Sequence, residues 1–120
     1  MEILNYTPHT VNAYLPDGSE LPFEPHGRPP RLQTDRRYLG EIEGIPFVER
    51  TMGDPEGLPY ESDDIIYIVS KLVADAVTDR SDLAYPGEVI RDKHGNVIGC
   101  KGLCAGPGLA DRLDKHEIGV

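Results

Sequence analysis

The stretch Asp64-Ile65-Ile66-Tyr67-Ile68-Val69 decides the fold class. It contains the longest apolar run of the chain, five residues from Ile65 to Val69, bounded by polar residues on both sides. A short, β-branched run of this kind predicts a strand buried on both faces. It falls far short of the roughly 18 residues that span a bilayer. Ser70 follows as an N-cap, and Val69, Leu72, Val73 and Ala76 recur at helical spacing. The strand therefore leads into a short helix ending near Val77. Two turns are marginal alone, so tertiary packing must hold it.

Outward from this centre the chain is punctuated by turns. Towards the N-terminus, Glu2 to Tyr6 is a strand stopped by Pro8, and Thr10 to Leu15 is a second. Pro16-Asp17-Gly18-Ser19 turns the chain back through Leu21 to Phe23, giving a β-hairpin. The Pro25, Gly27, Pro29 and Pro30 region is extended and irregular. Arg31 to Thr34 and Ile45 to Val48 are short strands, and Met52 to Pro59, with Gly53, Pro55 and Gly57, is loop. Towards the C-terminus, Asp82 to Tyr85 is a short strand broken by Pro86-Gly87. Glu88 to Arg91 and Val97 to Cys100 flank Asp92-Lys93-His94-Gly95-Asn96 as the clearest hairpin. Gly106-Pro107-Gly108 is a flexible connection to an amphipathic stretch from Leu109 to Ile118.

Composition agrees with this reading and narrows the partners. The chain has 120 residues, one domain over 1–120, with 13 glycines and 11 prolines. Long helices are scarce in such a sequence, and the expected fold is mostly β (α+β). It is a compact antiparallel β domain of short strands and hairpins with one or two short helices. The core is small, so assembly with copies of itself would complete it. The glycines and prolines have no three-residue period, which excludes collagen. A formal charge of −9 argues against duplex nucleic acid as a partner. No membrane span is expected. The start, Met1-Glu2-Ile3-Leu4-Asn5, lacks a basic leader, and two cysteines suit a reducing compartment, so the expected location is cytoplasmic.

Candidate site residues are scattered along the chain. Thr7 and His9 sit in a polar cluster between two strands, where they bind a ligand or simply satisfy backbone groups in a bend. Arg28, Arg31, Arg36 and Arg37 form a basic island with a local charge of +3, against −7 over residues 41–64. Their guanidinium forks suit phosphate oxygens, or they pair with the acidic stretch within or between subunits. Arg50, Arg80 and Arg91 are isolated cations beside β segments, and Tyr67 or Tyr85 is available to stack on a base. Asn96, like Thr7, offers hydrogen bonds to sugar hydroxyls. Cys100 and Cys104, with His94 or His116, lack the paired C-x₂-C spacing of zinc sites, so inert thiols and no metal are expected. No G-x-S-x-G, H-E-x-x-H or phosphate-loop motif occurs, and neither an enzyme nor a cofactor is expected.

Several segments together carry a resemblance. Leu4-Asn5-Tyr6-Thr7-Pro8-His9-Thr10-Val11 opens the chain, followed by Gly57-Leu58-Pro59 and Tyr67-Ile68-Val69-Ser70. Val89-Ile90-Arg91-Asp92 and Asn96-Val97-Ile98-Gly99-Cys100 complete the series. Over residues 4–104 this order resembles a family of small phage and prophage proteins that usually open with N-L-T-P-H, among them the first-described Thoeris anti-defence sponges. Tyr6 stands where that family usually has leucine. The resemblance implies a non-enzymatic binder that sequesters a cyclic ADP-ribose-type signal made by bacterial TIR proteins. It also implies, in some members, uptake of cyclic di- or trinucleotides of the related CBASS pathway. It further implies a homo-oligomer, a dimer or an assembly of dimers, with pockets between subunits. Two alternatives stay open: a small hydrolase or lyase of the same nucleotide class, with His9 as base, and a phage interaction protein that binds no ligand.

Overall fold

A computed structural model describes residues 1–116. In chain order the elements are β1 (Glu2–Asn5), β2 (Val11–Tyr14), β3 (Glu20–Phe23), β4 (Arg31–Ile42) and β5 (Ile45–Glu56). They continue with β6 (Ile65–Ile68), α1 (Lys71–Ala76), β7 (Leu83–Arg91), β8 (Val97–Ala105) and α2 (Pro107–His116). The fold is mostly β with two short helices, as the sequence predicts. Ile118, at the end of the expected amphipathic stretch, lies outside the described residues. None of the described helices is long and apolar enough to cross a membrane.

Six strands form one sheet in the order β1-β6-β7-β8-β2-β3. The hairpins β2–β3 and β7–β8 are antiparallel, and β1–β6, β6–β7 and β2–β8 are parallel. The central strand β6 is buried on both faces, as its continuous apolar run requires. Tyr67 and Val69 pack with Val73, Ala74 and Leu83 beneath α1. Ile68 faces the other way, onto Val11, Ala13 and Cys100, and Ile66 packs on Ala84 and Leu109 of α2. Ser70 caps α1 through its hydroxyl, which accepts from the Val73 N–H at 3.3 Å. Leu72, expected in the core by helical spacing, is instead 62 % exposed.

The two edges of the sheet meet at Asn5, which is 1 % exposed. Its backbone bridges Pro25, and its carbonyl accepts from the His26 N–H at 2.7 Å. Its side-chain Nδ2 donates to the carbonyls of His9 (2.7 Å) and Phe23 (2.8 Å). Oδ1 accepts from the Thr7 N–H at 2.8 Å and the Thr7 hydroxyl at 2.7 Å. One buried amide thus ties the end of β1 to the end of β3 and nearly closes the sheet into a barrel.

Three local expectations are corrected. Pro86-Gly87 does not break a strand, because β7 runs through it to Arg91. β6 covers β7 only at Leu83 and Ala84, so Pro86 lies on an open edge where a missing N–H costs nothing. A Cβ at Gly87 would stand 2.2 Å from the Lys101 carbonyl oxygen, so glycine permits the close approach to β8. Gly106-Pro107-Gly108 is not a loose connection either. Gly106 donates to the Leu83 carbonyl at 2.8 Å, Pro107 opens α2, and a Cβ at Gly108 would meet the Arg80 carbonyl oxygen at 2.0 Å.

The largest correction concerns residues 31–56. The short strands and the Met52–Pro59 loop are replaced by a hairpin of two 12-residue strands, with only 57–59 of that loop outside it. A two-residue turn joins them, with Glu43 at φ 54° and Gly44 at φ 78°. Both residues are left-handed, as a hairpin turn matched to strand twist demands. Both edges of this ribbon are open, so Pro46 and Pro55 cost no pairing with a third strand. The ribbon stands out from the body as an arm. It raises the radius of gyration to 17.4 Å, against about 14 Å for a chain of this length.

Replacing Asn5 tests the closure. Asn5→Ala takes the Asn5 partner from the Phe23 carbonyl and the Thr7 N–H, while the Thr7 hydroxyl still serves the His9 carbonyl, and is expected to cost about 2 kcal/mol. Urea unfolding followed by circular dichroism measures it, and a loss below about 1 kcal/mol would show that the sheet edges are held elsewhere.

Candidate ligand groove at the root of the arm

Arg31, Leu32 and Thr34 of β4, Arg50 and Met52 of β5 and Leu72 of α1 line a groove of about 290 Å³ between the arm and the helix. The extended, proline-rich segment before β4 brings Arg28 beside it. Arg28, Pro29, Arg31, Glu56 and Gly57 line an adjoining recess of about 500 Å³. Arg31 borders both spaces. Leu32, Met52, Leu72 and Val73 supply apolar surface, and the groove's lining holds no histidine, cysteine or carboxylate.

Cations outnumber carboxylates at this root, where Glu56 stands opposite Arg31 in the ladder and accepts a hydrogen bond from Gln33. Arg37 pairs with Glu49 on the facing strand at 2.6 Å, as pairing with the acidic stretch predicts. Among the described residues Arg28, Arg31, Arg36 and Arg50 make no ion pair. Arg36 and Arg50 stand directly opposite each other in the ladder, an arrangement that like charges disfavour unless an anion is shared between them. Unpaired guanidinium forks beside an apolar floor suit a ligand with phosphate oxygens and a flat, weakly polar body.

The structure brings together three of the residues proposed from sequence, Arg28, Arg31 and Arg50, and places the others elsewhere. The Thr7 hydroxyl serves the Asn5 closure and also lies 2.9 Å from the His9 carbonyl. Thr7 and His9 border a separate, mainly apolar slot of about 280 Å³ with Val11, Val89 and Val97. Arg80 is a structural brace. Its Nε and Nη2 each lie 2.9 Å from the two oxygens of the fully buried Asp82, and Nη1 donates to the Pro59 carbonyl at 2.8 Å. The hydrogen bond to Asp82 holds the Arg80 guanidinium above its ordinary pKa. Arg91 donates to the Gly95 carbonyl at 2.8 Å, and the Asn96 N–H donates to the Asp92 carboxylate at 3.0 Å. Both belong to the β7–β8 turn. Tyr85 is half-buried, with Lys71 Nζ 5.8 Å from its ring centre.

Tyr67 is corrected most sharply. Its ring is buried in the core, edge-on to Tyr6 at 5.3 Å, with its hydroxyl 3.3 Å from the Tyr60 carbonyl, so it cannot stack on a ligand. Among the described residues no three His, Cys, Asp or Glu side chains gather around a metal-sized space. Sequence reasoning missed Met52, placed in a loop, and Leu72, placed in the core. No protein-family model, curated protein or solved structure matches the chain.

The burial of Tyr67 has a consequence at alkaline pH. Desolvation chiefly pushes its phenol above the ordinary value, with the charges of Tyr6 and Asp82 adding to it. The unfolded phenol ionises near pH 10. The Tyr67 contribution is therefore complete below about pH 10 and falls, by up to about 1.4 kcal/mol per pH unit, as pH rises towards the folded value. Tyr67→Phe is expected to lose less stability between pH 9 and pH 11 than the parent in urea titrations. Equal losses would place the ionised phenol within reach of water in the fold.

Proposed function

We propose that the protein is a sponge that binds and sequesters, without cleaving, a cyclic ADP-ribose-type nucleotide signal. It would do so in the cytoplasm of a bacterial host during phage infection, blocking a TIR-based defence. Cyclic di- or trinucleotides of a CBASS-type pathway are a second ligand class of the same chemistry. One observation carries the reading. Arg31 and Arg50, unpaired among the described residues, enter one groove from facing strands over an apolar floor, with Arg28 beside it. The resemblance in the sequence supports the choice of ligand, and the chemistry of the groove supports its phosphates.

In this reading the guanidinium groups hold the pyrophosphate while Leu32, Met52 and Leu72 cover the base. Thr34 at the groove wall offers a hydroxyl to a ribose. No nucleophile or general base is needed, because sequestration requires only affinity. Nanomolar capture corresponds to about −12 kcal/mol, and a pocket built on two paired strands limits the ordering cost of reaching it. The functional unit is a homo-oligomer, a dimer or an assembly of dimers, in which a neighbouring copy encloses the open groove.

Incubation with TIR-generated cyclic ADP-ribose, filtration, heat release and assay of the nucleotide tests the proposal. Intact nucleotide is expected from the retained protein. An altered product would make the protein a hydrolase or lyase, and no retention by folded protein would leave an interaction protein. Arg28→Ala, Arg31→Ala and Arg50→Ala are each expected to weaken capture at least tenfold, about 1.4 kcal/mol. Unchanged affinity in all three would remove the root of the arm from the site.

A further inference from the structure

Strand pairing leaves one side of the body open. β6 covers β7 only at Leu83 and Ala84, and β2 meets β8 only through Ala13 and Tyr14. Past these short contacts the β7–β8 hairpin continues on its own to Arg91 and Val97. The slot of about 280 Å³ lies between this hairpin and the bend from Thr7 to Thr10. Val11, Pro86, Val89, Val97 and Cys100 give it apolar walls. None of its eleven lining residues is Asp, Glu, Lys or Arg, in a chain of which 28% is charged.

One polar atom of this wall is left without a partner. Asn12 lines the slot, and its Nδ2 donates to Glu20 Oε2 at 3.0 Å and to the Ile98 carbonyl at 3.3 Å. The amide is fixed in this sense, because turning it over would set its oxygen against the Glu20 carboxylate. Its Oδ1 is buried and, alone among the buried side-chain N and O atoms of the described residues, has no hydrogen-bond partner. A buried acceptor without a donor is costly, and native folds carry few of them.

We propose that the slot binds a small, uncharged molecule with an apolar body and one N–H or O–H donor. The body covers the valines, Pro86 and the Cys100 thiol. The donor pairs with Asn12 Oδ1, a contact made as the ligand parts the wall to which Asn12 itself belongs. An ion is disfavoured, since no fixed charge in the lining offsets its desolvation. The volume is at the lower end for ligand pockets, about 300–1,000 Å³, which suits a molecule of one or two rings. Apart from Ser70, the slot shares no lining residue with the groove at the root of the arm. The inference therefore goes beyond the proposed function and stands whether or not the groove takes a nucleotide.

Indole is the probe. It is neutral and apolar with one N–H, and its fluorescence is read without background from tryptophan, which the chain lacks. The parent is expected to bind it with a dissociation constant below about 1 mM, within reach of a molecule of its size. Benzofuran has the same outline with oxygen in place of the N–H, and in competition it is expected to bind about tenfold more weakly. Indole-3-acetate, which adds a carboxylate, is also expected to bind about tenfold more weakly. Val89→Arg and Val97→Arg bring a charged side chain to the slot from positions that are 51% and 60% exposed, so the fold tolerates them. Each is expected to weaken indole binding at least tenfold while circular dichroism stays that of the parent. No indole binding by the parent, equal binding of benzofuran or of indole-3-acetate, or unchanged indole binding in the folded variants would each overturn the proposal. Nucleotide capture, assayed in the same variants, reports on the groove separately.

Discussion

The buried amide of Asn5 is the constraint on which the body of the protein depends. A six-stranded sheet whose edges remained open would expose two rows of unpaired N–H and C=O groups. Here the outermost strands, β1 and β3, are drawn together at one end by the Asn5 amide on the Phe23 carbonyl and by its backbone bridge to Pro25, while its other three side-chain contacts fix the Thr7–His9 bend. Every hydrogen-bonding position of the amide is occupied, so its burial is compensated. In the polar cluster around Thr7 and His9, the Thr7 N–H and hydroxyl and the His9 carbonyl belong to this closure.

The closed body then supports a projecting site. β6 and α1 are anchored by the apolar contacts of Tyr67, Val69 and Val73, and Arg80 on Asp82 fastens the 57–62 segment beside them. Their rigidity presents Leu72 and Val73 as one wall of a groove. The arm supplies the other wall and the cations. Seven large hydrophobic residues stay exposed along it, so the arm is held mainly by its own ladder and by its contact with α1.

Much of the body was legible in residues alone. The apolar run at Ile65–Val69 predicted the doubly buried strand, Ser70 predicted the cap, and the turns after Leu15 and Arg91 predicted both antiparallel hairpins of the sheet. Each of these signals is local, arising from the side-chain period or from turn chemistry. The arm was illegible for the complementary reason. A strand exposed on both faces has no buried side to impose alternation, and its prolines and glycines are tolerated because no third strand needs their donors. The candidate site was half legible: charge clustering marked Arg28 and Arg31, but nothing in the spacing distinguished Arg50, which lines the groove, from Arg80, which braces a buried carboxylate.

The sequence by itself determined the class of fold, the central strand, its following helix, two hairpins and an island of arginines on an acidic chain. These follow from burial, capping and net charge, which act over a few residues at a time. Only the tertiary structure decided which arginines are free and which are engaged, and that Tyr67 is core rather than platform. It also decided that residues 31–56 leave the body as an arm. Those outcomes depend on pairings between residues far apart in the chain, such as Arg50 with Arg36 or Asn5 with Phe23, and such pairings are set by how the whole sheet closes.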